Sequence, residues 1–432
     1  MLKRALVAPV STLMEYTSVA SERRHFHAGR AALILVEWFL VFDPKSVPSY
    51  IWIHCVSRSL VTYATNEESV DVSAVRTLLR PVLIVSESTL AEQSTFLRHL
   101  LVGLVDESIS TTLVCPPGCD VESLVPGPVS VLSYPLVSLP LVKHLGAGHL
   151  AAELAKLRPT ILHSLSESMA SLTRRLAHRL GLPYVQMINS LAGRFPRIQS
   201  LPRRCRAIIT PARSIAAGVA GAYPRFADRV RQINIGSFIE EDTVCFSDPS
   251  RLPSIVLAQP LRRVSSFESF FRAVKALLAD GYDFLVVLMG SGPAEHGLRR
   301  LLEELGITQA VTIVPILDPW RSVLAAGDIF VRPQPRRVFS MFLLEAMSLG
   351  TAVVACKGGV DDLIIPDQTA VVFERDDEQS IRHALTQLLG QHDFARRLAM
   401  TAQEHVRAHY SVSQMVSATL RTYMEAQQLP QD

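Results

Sequence analysis

The chain has 432 residues, 48% of them hydrophobic and 19% charged. That is enough for two or three packed domains, and it excludes a mainly disordered chain. Its 43 basic and 40 acidic side chains leave a formal net charge of +3, too even a balance to point to nucleic acid, though compatible with peripheral contact at anionic lipid headgroups.

Residues 1–78 lack the strand–helix alternation of the rest. Their most apolar stretch, 31–42, contains Glu37 and as a helix would span about 18 Å, too short for a bilayer core. Two readings stay open for this segment: a poorly ordered appendage, or non-native sequence added by an upstream translation start. Six cysteines are scattered along the chain, and the one close pair, Cys115 and Cys119, lacks the spacing and the second pair of a zinc knuckle. Reduced thiols in a cytoplasmic protein are the expectation.

Regular alternation begins at Pro81. Short apolar runs at 82–86, 111–115, 129–132, 160–163, 183–188, 207–210 and 232–235 predict buried parallel strands. Helical spacing at 89–105, 141–157 and 167–180 separates them, with Gly181 as a left-handed cap. A junction near 236–253, holding Gly236, Asp248, Pro249 and Pro253, precedes a second set. Strands are expected there at 254–257, 284–289, 311–314, 328–331, 351–356 and 370–373. Helices are expected at 267–279, 295–305, 341–349, 377–389, 394–409 and 412–426. The first of these buries Phe267, Phe270, Phe271, Val274, Leu277 and Leu278, and Ser265 with Glu268 reads as a capping box.

The fold class is therefore α/β, with two Rossmann-like doubly wound parallel sheets facing a cleft. The domains are expected at 79–240 and 241–410, with 411–432 as a C-terminal helix. A dinucleotide oxidoreductase is disfavoured, because no Gly-x-Gly-x-x-Gly follows the first strand.

Residues 338–373 read VFSMFLLEAMSLGTAVVACKGGVDDLIIPDQTAVVF, preceded by LMGSGP at 288–293 and AAGDIFV at 325–331. This resembles glycosyltransferase family 4, the glycosyl transferases group 1, over roughly residues 80–425. The resemblance implies the GT-B fold and transfer of a sugar from a nucleotide-sugar donor to an acceptor hydroxyl. It implies a retaining reaction without a metal or other cofactor. The acceptor stays open among saccharide, lipid-linked and small-molecule classes. The alternative is an inactive scaffold or regulatory protein that kept the fold.

The amides of Ser340, Met341 and Phe342 open a predicted helix and form an anion site, which the resemblance assigns to the donor diphosphate. It gives Glu345 to the ribose diol. Arg262 and Arg263 stand near the positions of the family's phosphate-binding arginine and lysine, which here are Pro260 and Ser265. Gly290 and Ile316 complete the implied donor site. Asn189 replaces the family's histidine, residues 86–93 replace its glycine-rich loop, and Arg337 replaces the glutamate that holds the donor sugar.

Arg337 has three outcomes: pairing with Glu345 or Asp361, binding an acidic donor sugar, or turning to solvent. Neutral hexose donors are expected to be handled poorly. No Asp-x-Asp triplet supports a metal-chelating site. Arg194, Arg197, Arg203, Arg204 and Arg206 read as a solvated loop or a patch for an anionic acceptor or lipid, and His163 as a structural histidine.

Overall fold

The computed structural model describes residues 79–118, 124, 127–134, 140–191, 204–316 and 320–428. The expected appendage at 1–78, and Cys119, Arg194, Arg197 and Arg203, lie outside the described residues. All that follows belongs to the compact unit Asp71–Asp432.

The first sheet has seven parallel strands, β1 (Pro81–Ile84), β2 (Thr112–Cys115), β3 (Ser130–Ser133), β4 (Ile161–Ser164), β5 (Tyr184–Met187), β6 (Cys205–Thr210) and β7 (Val230–Gln232). Their order is β3-β2-β1-β4-β5-β6-β7. Helices α1 (Glu87–Asp106), α2 (Pro140–Lys156), α3 (Ala170–Leu180) and α4 (Arg213–Ala222) connect them. Strands β1, β2, β4 and β5 are buried along their whole length, as expected of strands covered on both faces, whereas edge strand β3 is mostly exposed.

The second sheet has six parallel strands, β8 (Ser254–Ala258), β9 (Leu285–Met289), β10 (Val311–Val314), β11 (Ile329–Arg332), β12 (Ala352–Cys356) and β13 (Val371–Phe373), in the order β10-β9-β8-β11-β12-β13. Its helices are α5 (Glu268–Ala279), α6 (Glu295–Leu305), α7 (Arg321–Ala325), α8 (Met341–Ser348), α9 (Glu378–Gly390) and α10 (His392–His409). In each sheet the strand order reverses once, between β1 and β4 and between β8 and β11. Those two points are where ligands of such sheets bind.

Most expected elements are present within a residue or two. The capping box is a correction. Residues 264–266 form a 3₁₀ turn, Phe267 opens α5, and no side chain caps it. The buried Phe267 anchors the chain there, and Glu268 is taken by Arg272 one turn on, at 2.5 Å. Strand β7 lies two residues earlier than 232–235, and helices α4 and α7 fall where no element was expected.

The last helix, α11 (Val412–Gln428), returns to pack on α1 and the first sheet. Gly103 on α1 lets it approach: an added Cβ would lie 2.4 Å from a Val416 methyl. The Tyr423 hydroxyl meets His163 Nδ1 at 2.7 Å. Gly236 and Ser411 mark two chain crossings that run side by side, with the Ser237 amide donating to the Tyr410 carbonyl at 2.8 Å. One apolar core runs from the first sheet through α8 to α11, and a second fills the outer face of the second sheet. No described helix is long and apolar enough to cross a membrane.

Candidate active site

Helix α8 starts at the C-terminal switch point. Ser340 is extended, and its hydroxyl accepts from the Leu343 amide at 3.4 Å. The first-turn amides, which no helical carbonyl can reach, and the helix dipole make this point receptive to an anion.

Glu345, one turn into α8, is fully buried. Its Oε2 accepts from Arg321 Nη1. Arg321 on α7 also donates to the Phe238 carbonyl at 2.7 Å and to Glu240 Oε1 at 3.1 Å. Across the domain junction, His99 Nδ1 on α1 meets the Gly236 carbonyl at 2.9 Å and lies 3.8 Å from Glu345 Oε1. Burial lowers the His99 pKa, opposed by the Glu345 charge. Glu345 Oε1 itself has no hydrogen-bond partner. The carboxylate is thus neutralised by a residue that sequence reasoning did not single out. Trp320 beside Arg321 packs on Phe342, and that aromatic pair marks where α7 docks on α8.

Arg337 pairs with neither Glu345 nor Asp361. It is exposed, and its Nε donates to the Leu191 carbonyl at 2.7 Å. The Leu191 amide returns a bond to the Arg337 carbonyl at 2.7 Å, and Ser190 bridges Val338 in antiparallel fashion. One isolated bridge and the Leu191–Arg337 bonds therefore join a loop of each domain across the cleft. A second crossing pairs Asp362 with the start of α4, where its carboxylate accepts from the Arg213 amide and, at 2.7 Å, from the Ser214 hydroxyl. Asp362 thereby caps a helix whose own N-cap, Ala212, cannot.

Arg262 is largely exposed and reaches Glu92 on α1 at 3.3 Å. Arg263 is exposed at the edge of the 3₁₀ turn. Gly290 is buried, its amide donates to the Val314 carbonyl, and an added Cβ would lie 2.2 Å from the Gln259 carbonyl oxygen. Its role is to let two loops approach closely. Ile316 is exposed at 44%.

Two further guanidiniums sit where β11 ends. Arg332 is buried and donates to the carbonyls of Cys356, Gly358 and Val360 at 2.8–2.9 Å. Burial pulls its pKa down to about 10. Arg336 is half-buried, and its backbone bridges Gly359, whose φ of +79° and lack of a Cβ permit the approach. The run Arg-x-x-x-Arg-Arg at 332–337 was the available signal, of which only the last residue stood out by family position.

The N-terminal switch point has a different lining. Ser86 caps α1, accepting from the Thr89 amide at 3.2 Å, and its hydroxyl meets those of Ser88, Thr89 and Ser166 at 2.8–3.2 Å. Asn189 is buried; its amide nitrogen donates to Gln93 and to the Leu165 carbonyl, both at 3.0 Å, and its backbone N–H donates to Glu167 at 3.0 Å. Asn189 Oδ1 and Gln186 Oε1 have no partner. Residues 86–93 thus form a hydroxyl-lined helix start where a glycine-rich loop would offer bare amides. Among the described residues, no three His, Cys, Asp or Glu side chains gather as metal ligands.

Residues 253–391, which include α8 and its flanking strands, match the family described as glycosyl transferases group 1. That match covers the second sheet and helices α5 to α9, about a third of the chain. A D-inositol 3-phosphate glycosyltransferase of Corynebacterium urealyticum is 30% identical over 155 residues, 34% of this chain and 36% of that relative. Matches to the first curated relatives span 32–55% of their length.

A glycosyltransferase from Rickettsia africae superposes with a TM-score of 0.69 at 13% identity, covering 82% of this chain and 99% of that one. Anabaena Alr3699/HepE, solved with UDP and glucose, superposes with a TM-score of 0.67 at 12% identity, covering 80% and 99%. The two-domain architecture is the GT-B fold.

Proposed function

We propose that the chain moves a sugar from a nucleotide-sugar donor to an acceptor hydroxyl. The observation that carries this reading is the anion-receptive start of α8. It stands at the switch point of the second sheet, within the segment that matches the group 1 glycosyltransferases. That HepE was solved with UDP and glucose supports a nucleotide sugar as the ligand class.

In this reading the donor diphosphate lies at the start of α8, where amides and guanidiniums stabilise the charge that builds as the sugar departs, with no metal required. Transfer is retaining, as in the family. The acceptor hydroxyl comes from the N-terminal side, where Ser86, Ser166 and Asn189 offer neutral hydrogen-bonding groups. The protein works in the cytoplasm, with peripheral membrane contact where the acceptor is lipid-linked. Arg337 removes the carboxylate that would accept from neutral sugar hydroxyls, so neutral hexose donors are turned over poorly.

The test is release of nucleoside diphosphate from a panel of UDP-, GDP- and ADP-linked neutral and uronic-acid sugars. Release from any donor supports the reading. Efficient turnover of a neutral hexose donor by the wild type, lost in Arg337→Glu, refutes the role given to Arg337.

The second reading is a catalytically silent GT-B protein. Its support is Glu345, which is fully buried and bound to Arg321 rather than open to a ribose. Nucleotide binding without release of diphosphate from any donor would mark this case.

A further inference from the structure

Arg336 stands out among the guanidiniums at the cleft, of which Arg263 is exposed to solvent. Arg332 is spent on three carbonyls, Arg262 on Glu92, and Arg337 on Leu191. Arg336 is half-buried, and among the described residues no carboxylate or carbonyl takes it. Residues 336 and 338 are bridged to Gly359 and to Ser190, and the chain bends at Arg337 between them. Arg337 is exposed and held by the Leu191 carbonyl, whereas Arg336 is half-buried.

Arg336 lies in the loop after β11, at the C-terminal switch point. Strands β8 and β11 are neighbours in register, Ile329 opposite Ile255 and Phe330 opposite Val256. The loops that leave their carboxyl ends, carrying Arg262 and Arg336, thus emerge side by side. Burial and then the Arg262 charge depress the Arg336 pKa, opposed by the charge of Glu92, which is bonded to Arg262. A half-buried cation beside a second cation is costly without a counter-charge. Two guanidiniums and the free amides of a helix start together describe a site for a polyanion.

We propose that Arg336, assisted by Arg262, is the residue that holds the diphosphate of a nucleotide in this cleft, and that Glu92 occupies Arg262 until the anion arrives. The assignment rests on the transferase reading for the nucleotide, but the anion site itself does not need turnover. It places the phosphate cation after β11, whereas the expected positions lie after β8.

The test is calorimetric binding of inorganic pyrophosphate, UDP and GDP to the full chain, with thermal melting alongside. The expected results are pyrophosphate binding by the wild type, a ten- to hundredfold loss in Arg336→Gln, partial rescue in Arg336→Lys, and a gain of several-fold in Glu92→Gln. Without ligand, Arg336→Gln should melt at or above the wild-type temperature, because an uncompensated charge has been removed. With pyrophosphate, only the wild type should gain stability.

Unchanged pyrophosphate affinity in a folded Arg336→Gln overturns the assignment, as does loss of binding confined to Arg262→Gln. Arg336-dependent pyrophosphate binding with no nucleotide-sugar turnover would overturn the transferase reading and leave the anion site standing. Tight nucleotide binding that is indifferent to Arg336 would do the reverse.

Discussion

The two switch points of this molecule share a topology and differ in chemistry. Around the ends of β1 and β4 the chain supplies Ser86, Ser88, Thr89, Ser166 and the amides of Gln186 and Asn189, and segments 85–93 and 165–169 hold no cation. Around the ends of β8 and β11 it supplies Arg262, Arg332, Arg336 and Arg337. Each mouth also presents the start of a helix, α1 or α8, so the dipole alone does not distinguish them. The side chains do. A mouth of hydroxyls suits a neutral polyol, and a mouth of guanidiniums suits a phosphate. In the proposed reading, one fold used twice is divided into acceptor and donor sides by a few loop residues.

The largest effect should come from the ion pair that ties α7 to α8. Glu345→Ala leaves Arg321 without its buried partner and should destabilise the fold by about 3 kcal/mol or more, read as a drop in melting temperature. The double variant Glu345→Leu/Arg321→Leu should recover most of it. If Glu345→Ala melts like the wild type, the pair does not tie α7 to α8.

The next effect is on acid stability. His163 is fully buried and its pKa is pushed down to about 3 by burial, while an unfolded histidine titrates near ~6.5. The unfolded chain therefore binds more protons between those values, and stability falls as pH drops below about 6.5. The His99 shift has the same direction and adds to this. Melting temperature against pH should fall more gently on the acid side for His163→Gln than for the wild type. Parallel acid limbs would remove His163 from the account.

The hydroxyl mouth can be probed separately from the cationic one. Ser166→Ala removes its hydroxyl partnership with Ser86 and should cost about 1 kcal/mol. It should weaken acceptor use and leave pyrophosphate affinity unchanged. Loss of pyrophosphate binding in this variant would collapse the distinction between the mouths. Asp362→Ala removes the cap of α4 and should also cost about 1 kcal/mol, mostly as weaker docking of the two domains. The smallest effect should be Arg337→Ala, below about 0.5–1 kcal/mol, because its one bond is to a carbonyl at an exposed site.

Much of the fold could be read from the sequence, because buried parallel strands are nearly continuous apolar runs and several helices here end on left-handed glycines. Gly181, Gly306 and Gly350 have φ of +69°, +71° and +72°. The start of α8 was legible for the same reason, a strand–loop–helix with a serine cap. The site's partners were not. Arg321 meets Glu345 over 24 positions, Asp362 meets Ser214 over 148, and His99 approaches Glu345 from the other domain. No local period encodes such pairs. Arg336 was hidden behind Arg337 because family position drew attention to the second arginine, whereas half-burial without a side-chain partner selects the first.

The most direct measurement is a crystal structure of the full chain with UDP bound. The account predicts that the diphosphate lies against the Arg336 guanidinium and the first-turn amides of α8, with Arg262 drawn away from Glu92. A diphosphate seated at the start of α1, beside Ser86 and Ser166, would contradict it.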